Sequence, residues 1–167
     1  MFDPNAFNAP VDPLSTTYEV CPEGEFQMML DSDPRQLQVT TDDNKTFVGI
    51  KRHVGTSQAS GEPYDFTDWT LDCIVMDENV KKRLGRDKVN VRLRLNLDLN
   101  EAGGIAVGPN LNVKLGQLRD ALGQNKPGWT PQSLLGAGPF IGRVTHTSDK
   151  KDPSKKYADV TRVAKIS

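Results

Sequence analysis

The chain has 167 residues, about one domain's worth at ~100–200 residues per domain. Hydrophobic residues make up 36% and charged residues 26%, with 14 Gly and 11 Pro, so the chain folds but is polar and rich in loops. Its 21 Lys+Arg against 22 Asp+Glu give a net charge of −1, which excludes a uniformly basic binder of nucleic acid or membrane.

In chain order, residues 1–22 carry Pro4, Pro10, Pro13 and Pro22 among scattered Asn and Asp and read as an extended arm, with Phe2 and Phe7 as anchors for the body or a neighbouring subunit. One domain is expected over residues 23–167. Its first strand is Glu25–Leu30, where Phe26, Met28 and Leu30 form an apolar face. Asp31-Ser32-Asp33-Pro34 marks a turn, and short strand-like pieces follow at Gln36–Thr40 and Phe47–Val54. Gly55–Tyr64 is rich in Gly, Ser and Pro and reads as a loop.

Trp69–Met76 is the next strand, with Trp69, Leu71, Cys73 and Val75 on one face, and 81–87 is a polar connection. Lys88–Asn100 alternates without a miss: Val89, Val91, Leu93, Leu95, Leu97 and Leu99 face one way, and Lys88, Asn90, Arg92, Arg94, Asn96 and Asp98 the other. Such a period of two means a long strand with one buried and one wet face. The one helix signal is Leu111, Leu115, Leu118 and Leu122, with Asn110 as N-cap and Gly123 as terminator. Two final strands, Phe140–Thr147 and Tyr157–Ile166, flank the turn Asp149–Lys156.

This order predicts an all-β fold with one helix: an OB-fold-like, five-stranded antiparallel barrel with the helix between strands three and four. No apolar run approaches the ~18 residues that would cross a membrane. With no leader-like segment at the N-terminus, Cys21 and Cys73 are expected as free thiols in a reducing cytoplasm.

Catalytic constellations are missing from the sequence. His53 and His146 have no metal-ligating neighbour at strand or helix spacing and read as packing or solvated residues. Asp31/Asp33, Asp42/Asp43, Asp65/Asp68 and Asp77/Glu78 fall in turns or at strand ends, where Asp is a default residue. The glycines of 136–142 precede a strand, whereas a dinucleotide fingerprint follows one. The expectation is a protein without enzymatic activity, cofactor or metal.

Nucleic acid fits better, because the near-zero charge is unevenly spread. Residues 1–42 hold eight acids and one base, and residues 85–167 hold 14 bases and seven acids. Binding a single strand needs cations for phosphates and flat rings for bases. Lys88, Arg92 and Arg94 on the wet strand face supply cations, extended by Lys51 and Arg52. Tyr64 and Phe66 beside the Gly/Ser loop supply rings, with Trp69 a third candidate that also reads as core. Lys150, Lys151, Lys155 and Lys156 gather in the last hairpin.

The segments FDPNAF and CPEGEF, the helix LNVKLGQLRDALG, the turn WTPQSLLG, GPFIGRVTHTSD and the closing YADVTRVAKI resemble those of single-stranded-DNA-binding proteins of tailed bacteriophages. That resemblance implies an OB-fold protein coating single-stranded DNA in the host cell cytoplasm during phage replication or recombination. Bacterial members of that functional class end in an acidic tail, whereas this chain ends VTRVAKIS and is acidic at its front. The front arm is therefore the expected contact for replication or recombination proteins, and a homo-oligomer is compatible with it. The competing expectation is a structural or assembly protein that uses the same barrel for protein contacts.

Overall fold

The computed structural model describes residues 1–15, 18–41 and 48–167. Strands β1 (Gly24–Leu30), β2 (Val39–Thr41), β3 (Gly49–Thr56), β4 (Pro63–Val75), β5 (Asn90–Leu97), β6 (Phe140–Ser148) and β7 (Lys156–Ala164) form one mixed sheet. The helices are α1 (Pro4–Phe7), α2 (Glu78–Leu84) and α3 (Val113–Ala121).

The sheet order is β1-β6-β7-β5-β4-β3-β2, and β1 also pairs with β4, so β1, β4, β5, β7 and β6 hydrogen-bond in a closed cycle. Two pairings are parallel, β2 with β3 and β5 with β7, so the sheet is mixed where an antiparallel barrel of five strands was expected. β1 and β3 share one edge of β4: Met28–Leu30 pair with Cys73–Val75, and β3 takes Pro63–Thr70. Beyond the ring, β3 and the first half of β4 therefore continue as a two-stranded arm with β2 on its outer edge.

Alternation dictates what fills the interior. Trp69, Leu71, Cys73 and Val75 of β4 and Val91, Leu93 and Leu95 of β5 point inward and are buried, with Met28, Leu30, Phe140, Val144 and Val160 from the other ring strands. Leu115, Leu118 and Ala121 of α3 join the same core. Burying such side chains is worth ~1.5–3 kcal/mol each. The fifteen-residue connection 98–112 to α3 is knotted by Asn112, which donates to the carbonyls of Asp98 and Ala106 and accepts from the Asp98 amide.

Five elements differ from expectation. The strand read as Lys88–Asn100 is regular over Asn90–Leu97. α3 starts at Val113 rather than after Asn110, which leaves Leu111 exposed instead of on the buried face. α2 was read as a polar connection, because only Val80 of its seven residues is buried and no apolar stripe announces it. Its ends follow helix rules all the same: the Asp77 carboxylate accepts from the Val80 amide, and Gly85 closes it in the left-handed conformation at φ 63°. The segment Gly55–Tyr64, read as a loop, is strand at both ends with a tight turn over 57–62. The arm read as extended over residues 1–22 includes a helical turn at Pro4–Phe7, capped by Asp3.

Candidate nucleic-acid interface

Cross-strand register decides which side chains share the outer face of the sheet. Opposite Asp72, Thr70 and Asp68 of β4 stand Arg92, Arg94 and Asn96 of β5. On its other edge, Asp68 faces Lys51, Phe66 faces His53 and Tyr64 faces Gly55. The residues 64, 66, 68, 70 and 72 all point outward, so one surface carries Tyr64, Phe66, His53, Lys51, Arg94 and Arg92 in sequence along the strands. From Phe66 to Asp72 it runs six residues, ~20 Å at ~3.3 Å per residue.

The aromatic end is organised by contacts among its own members. The His53 ring stacks on Phe66 with centroids 4.5 Å apart and planes at 17°, and Tyr64 lies tilted against Phe66 at 5.9 Å. The Asp68 carboxylate accepts from His53 Nε2 at 2.9 Å, which fixes the imidazole against the ring. Phe66 keeps 51% of its surface exposed and Tyr64 41%, so both rings present faces to solvent. Gly55 makes this possible, because a Cβ there would stand 2.6 Å from the Tyr64 hydroxyl.

The cationic part is less bare than a single strand suggests. Arg92 lies between two carboxylates, Asp72 across β4 and Asp159 across β7. Burial raises the Asp72 carboxyl above the usual range, with Arg92 pulling it the other way and Asp31 adding to the rise. Lys88 ion-pairs with Asp31 at 2.8 Å, and this hydrogen-bonded lysine lowers the Asp31 carboxyl. Arg94 stands opposite Thr70, which is buried, and makes no ion pair among the described residues. Arg94 is thus the cation of this face most available to an external anion.

No family model, curated protein or solved structure matches this chain. Its chemistry must therefore be read from its own residues.

Of the eight residues singled out from the sequence, six share the outer side of the sheet or its margin: Lys51, Tyr64, Phe66, Lys88, Arg92 and Arg94. Arg52 does not. It points to the opposite face of β3 and holds Asp65 through two hydrogen bonds of 3.0 and 2.7 Å, so it does not extend the track. Trp69 is fully buried, its indole N–H donating to the Gln36 carbonyl at 2.6 Å, and presents no ring to a base. The carboxylates of the sequence turns have local duties. Asp33 and Asp77 cap helical turns, Asp65 holds Arg52, and Asp68 holds His53. The pair Asp42/Asp43, and Phe47, lie outside the described residues.

His53 was missed as a site residue, since a lone histidine in a strand has no neighbour to declare its role. Phe66 and Asp68 at i and i+2 were the available signal, because together they make a stacking and hydrogen-bonding seat for one ring on the adjacent strand. The lysine hairpin 149–156 lies at the α2 end of the sheet, because β7 runs parallel to β5 and starts at the same end. Asp149 shapes it by accepting from the amides of Lys151 and Asp152 and from the Tyr157 hydroxyl. Rings therefore gather at one end of the face and lysines at the other.

Proposed function

We propose that the five-strand cycle is an OB-type barrel and that its β3–β4–β5 face binds single-stranded DNA with little sequence preference. The cycle β1-β4-β5-β7-β6, its parallel β5–β7 pairing and the position of α3 between the third and fourth ring strands support the barrel. The observation that carries the binding reading is the row Tyr64–Phe66–His53 continuing into Lys51, Arg94 and Arg92 on one exposed face. Rings at 64 and 66 stack bases, and Arg94, then Arg92 and Lys51, neutralise phosphates. A role in phage replication or recombination rests on the sequence resemblance alone.

Fluorescence anisotropy with labelled single- and double-stranded DNA over a salt series tests this. Single strands should bind more tightly, and Tyr64→Ala with Phe66→Ala should weaken binding at least tenfold, since each stacked base is worth ~1–3 kcal/mol. Undiminished binding by that double variant would refute the assignment of the face.

A second reading, a structural or assembly protein using this face for protein contacts, is favoured by Asp72, Asp159, Asp31 and Asp68 lying among the cations. Affinity for a protein partner would barely respond to ionic strength, whereas phosphate-dominated binding falls steeply.

A further inference from the structure

Among the described residues after Cys21, three Phe, Tyr or Trp rings are exposed: Tyr64, Phe66 and Tyr157. The first two belong to the face described above. Tyr157 begins β7, and the alternation of that strand decides where it points. Val160 is buried and Ala158 packs against the core, so Tyr157 and Asp159 stand on the outer side of the sheet. Asp159 is the register partner of Arg92, and β7 runs parallel to β5. Tyr157 therefore lies at the level of Asn90, one outward position beyond Arg92. All three exposed rings share the outer side of β4, β5 and β7, which are neighbours in the sheet.

The surroundings of Tyr157 suit a ligand with flat rings and negative charge. At 44% exposure it is as open to solvent as Tyr64 at 41%. Its hydroxyl donates to Asp149 at 2.8 Å, and the same carboxylate accepts from the amides of Lys151 and Asp152, so ring and hairpin are fixed to one another. Asp152 is likewise engaged inside the turn, accepting from the Ser154 amide and hydroxyl. Lys150, Lys151, Lys155 and Lys156 are all exposed and form no ion pair among the described residues. A held ring beside four ammonium groups supplies both things a single strand requires, a flat face for a base and cations for the flanking phosphates.

From Phe66 to the level of Tyr157 the surface runs eight residues along the strands and crosses from β4 over β5 to β7. At ~3.3 Å per residue and ~4.8 Å per strand this is ~28 Å, about five stretched nucleotides at ~6.6 Å each.

We propose that Tyr157 stacks a base at the far end of the strand bound by the β3–β4–β5 face. Tyr64 and Phe66 then hold one end, Arg94 and Arg92 the phosphates between, and Tyr157 with the hairpin lysines the other end. This rests on the single-strand reading above and adds to it a second point of stacking, carried across β7. A purely structural role would instead have Tyr157 act through its hydroxyl on Asp149, and substitution separates the two.

Fluorescence anisotropy with labelled decathymidylate tests it. Tyr157→Ala should weaken binding ~fivefold or more, the low end for one stacked base, and leave the salt slope unchanged. Tyr157→Phe keeps the ring without the hydroxyl and should bind within about twofold of wild type. Photocrosslinking of a 5-iodouracil strand to wild-type protein reads the same contact without a substitution, and the crosslinked positions should include Tyr157. If Tyr157→Ala binds as wild type does while Tyr64→Ala with Phe66→Ala is weakened, this inference falls and the reading of the face stands. Crosslinks confined to residues 64 and 66 have the same meaning. Tyr157→Phe as weak as Tyr157→Ala also overturns it, because the residue then acts through Asp149. Wild-type protein that binds no single strand overturns both readings.

Discussion

Arg92 and Arg94 sit two residues apart on one strand, yet they should contribute unequally to DNA binding. Each phosphate neutralised on a single strand contributes ~0.7 to the slope of log K against log salt. Arg94, opposite Thr70, has no carboxylate partner among the described residues, so Arg94→Ala should reduce the slope by ~0.7 and shrink the affinity ratio between 50 and 200 mM salt by ~2.6-fold. Arg92 is already flanked by Asp72 and Asp159, and a phosphate there displaces existing partners instead of bulk counterions. Arg92→Ala should therefore change the slope by clearly less. The converse follows for Asp72→Asn, which should raise affinity by removing one of the two carboxylates beside Arg92. Burial raises the Asp72 carboxyl, so as pH falls it takes up its proton before an ordinary aspartate, and wild-type affinity should rise over the same interval. Asp72→Asn should lose that part of the pH response. Anisotropy titrations at four salt concentrations and three pH values measure every quantity. Equal slope changes for the two arginines, or none for Arg94→Ala, would refute the reasoning from cross-strand partners.

Gly55→Ala should weaken single-stranded DNA binding severalfold while leaving the thermal midpoint nearly unchanged, because the added methyl displaces the exposed Tyr64 ring and touches no core residue; binding titration and a thermal melt read the two effects. Trp69→Ala should cost ~3–5 kcal/mol in urea unfolding, the toll of emptying a fully buried site, whereas a ring serving only DNA would leave stability intact. Both thiols should resist a chromogenic disulfide reagent at pH 8 in the native protein and react at once in guanidinium. Burial, helped by Asp77, pushes Cys21 up to about 11, and burial pushes Cys73 higher still.

Much of the architecture was legible where a strand repeats its pattern long enough. The alternation from Val89 to Leu97 placed Arg92 and Arg94 on the wet side, and the inward set Trp69, Leu71, Cys73 and Val75 was readable in the same way. What a single strand cannot display is its partner's register. Nothing in Arg92's own neighbourhood announces Asp72 or Asp159, and nothing beside Arg52 announces that it turns to Asp65 on the far face of the hairpin. Short elements escaped for another reason. α2 buries Val80 alone, so capping by Asp77 and termination at Gly85 were its only marks, while β2 has three residues and exists through its pairing with β3. Leu111 shows the limit of periodicity: its spacing suits the helix, but Asn112 is committed to the Asp98 knot and delays the first turn.

The β3–β4 hairpin is built like a ruler that can be recut. Between Thr67 and the turn, β4 is paired with β3 and with no other strand among the described residues, and the turn over 57–62 is exposed or half-exposed. Adding two residues to each strand would extend the outward row by ~6.6 Å, about the rise of one stretched nucleotide, without moving a core side chain. If the proposed face binds a single strand, the length it covers is set by a part of the chain that can be lengthened or shortened independently of what keeps the protein folded.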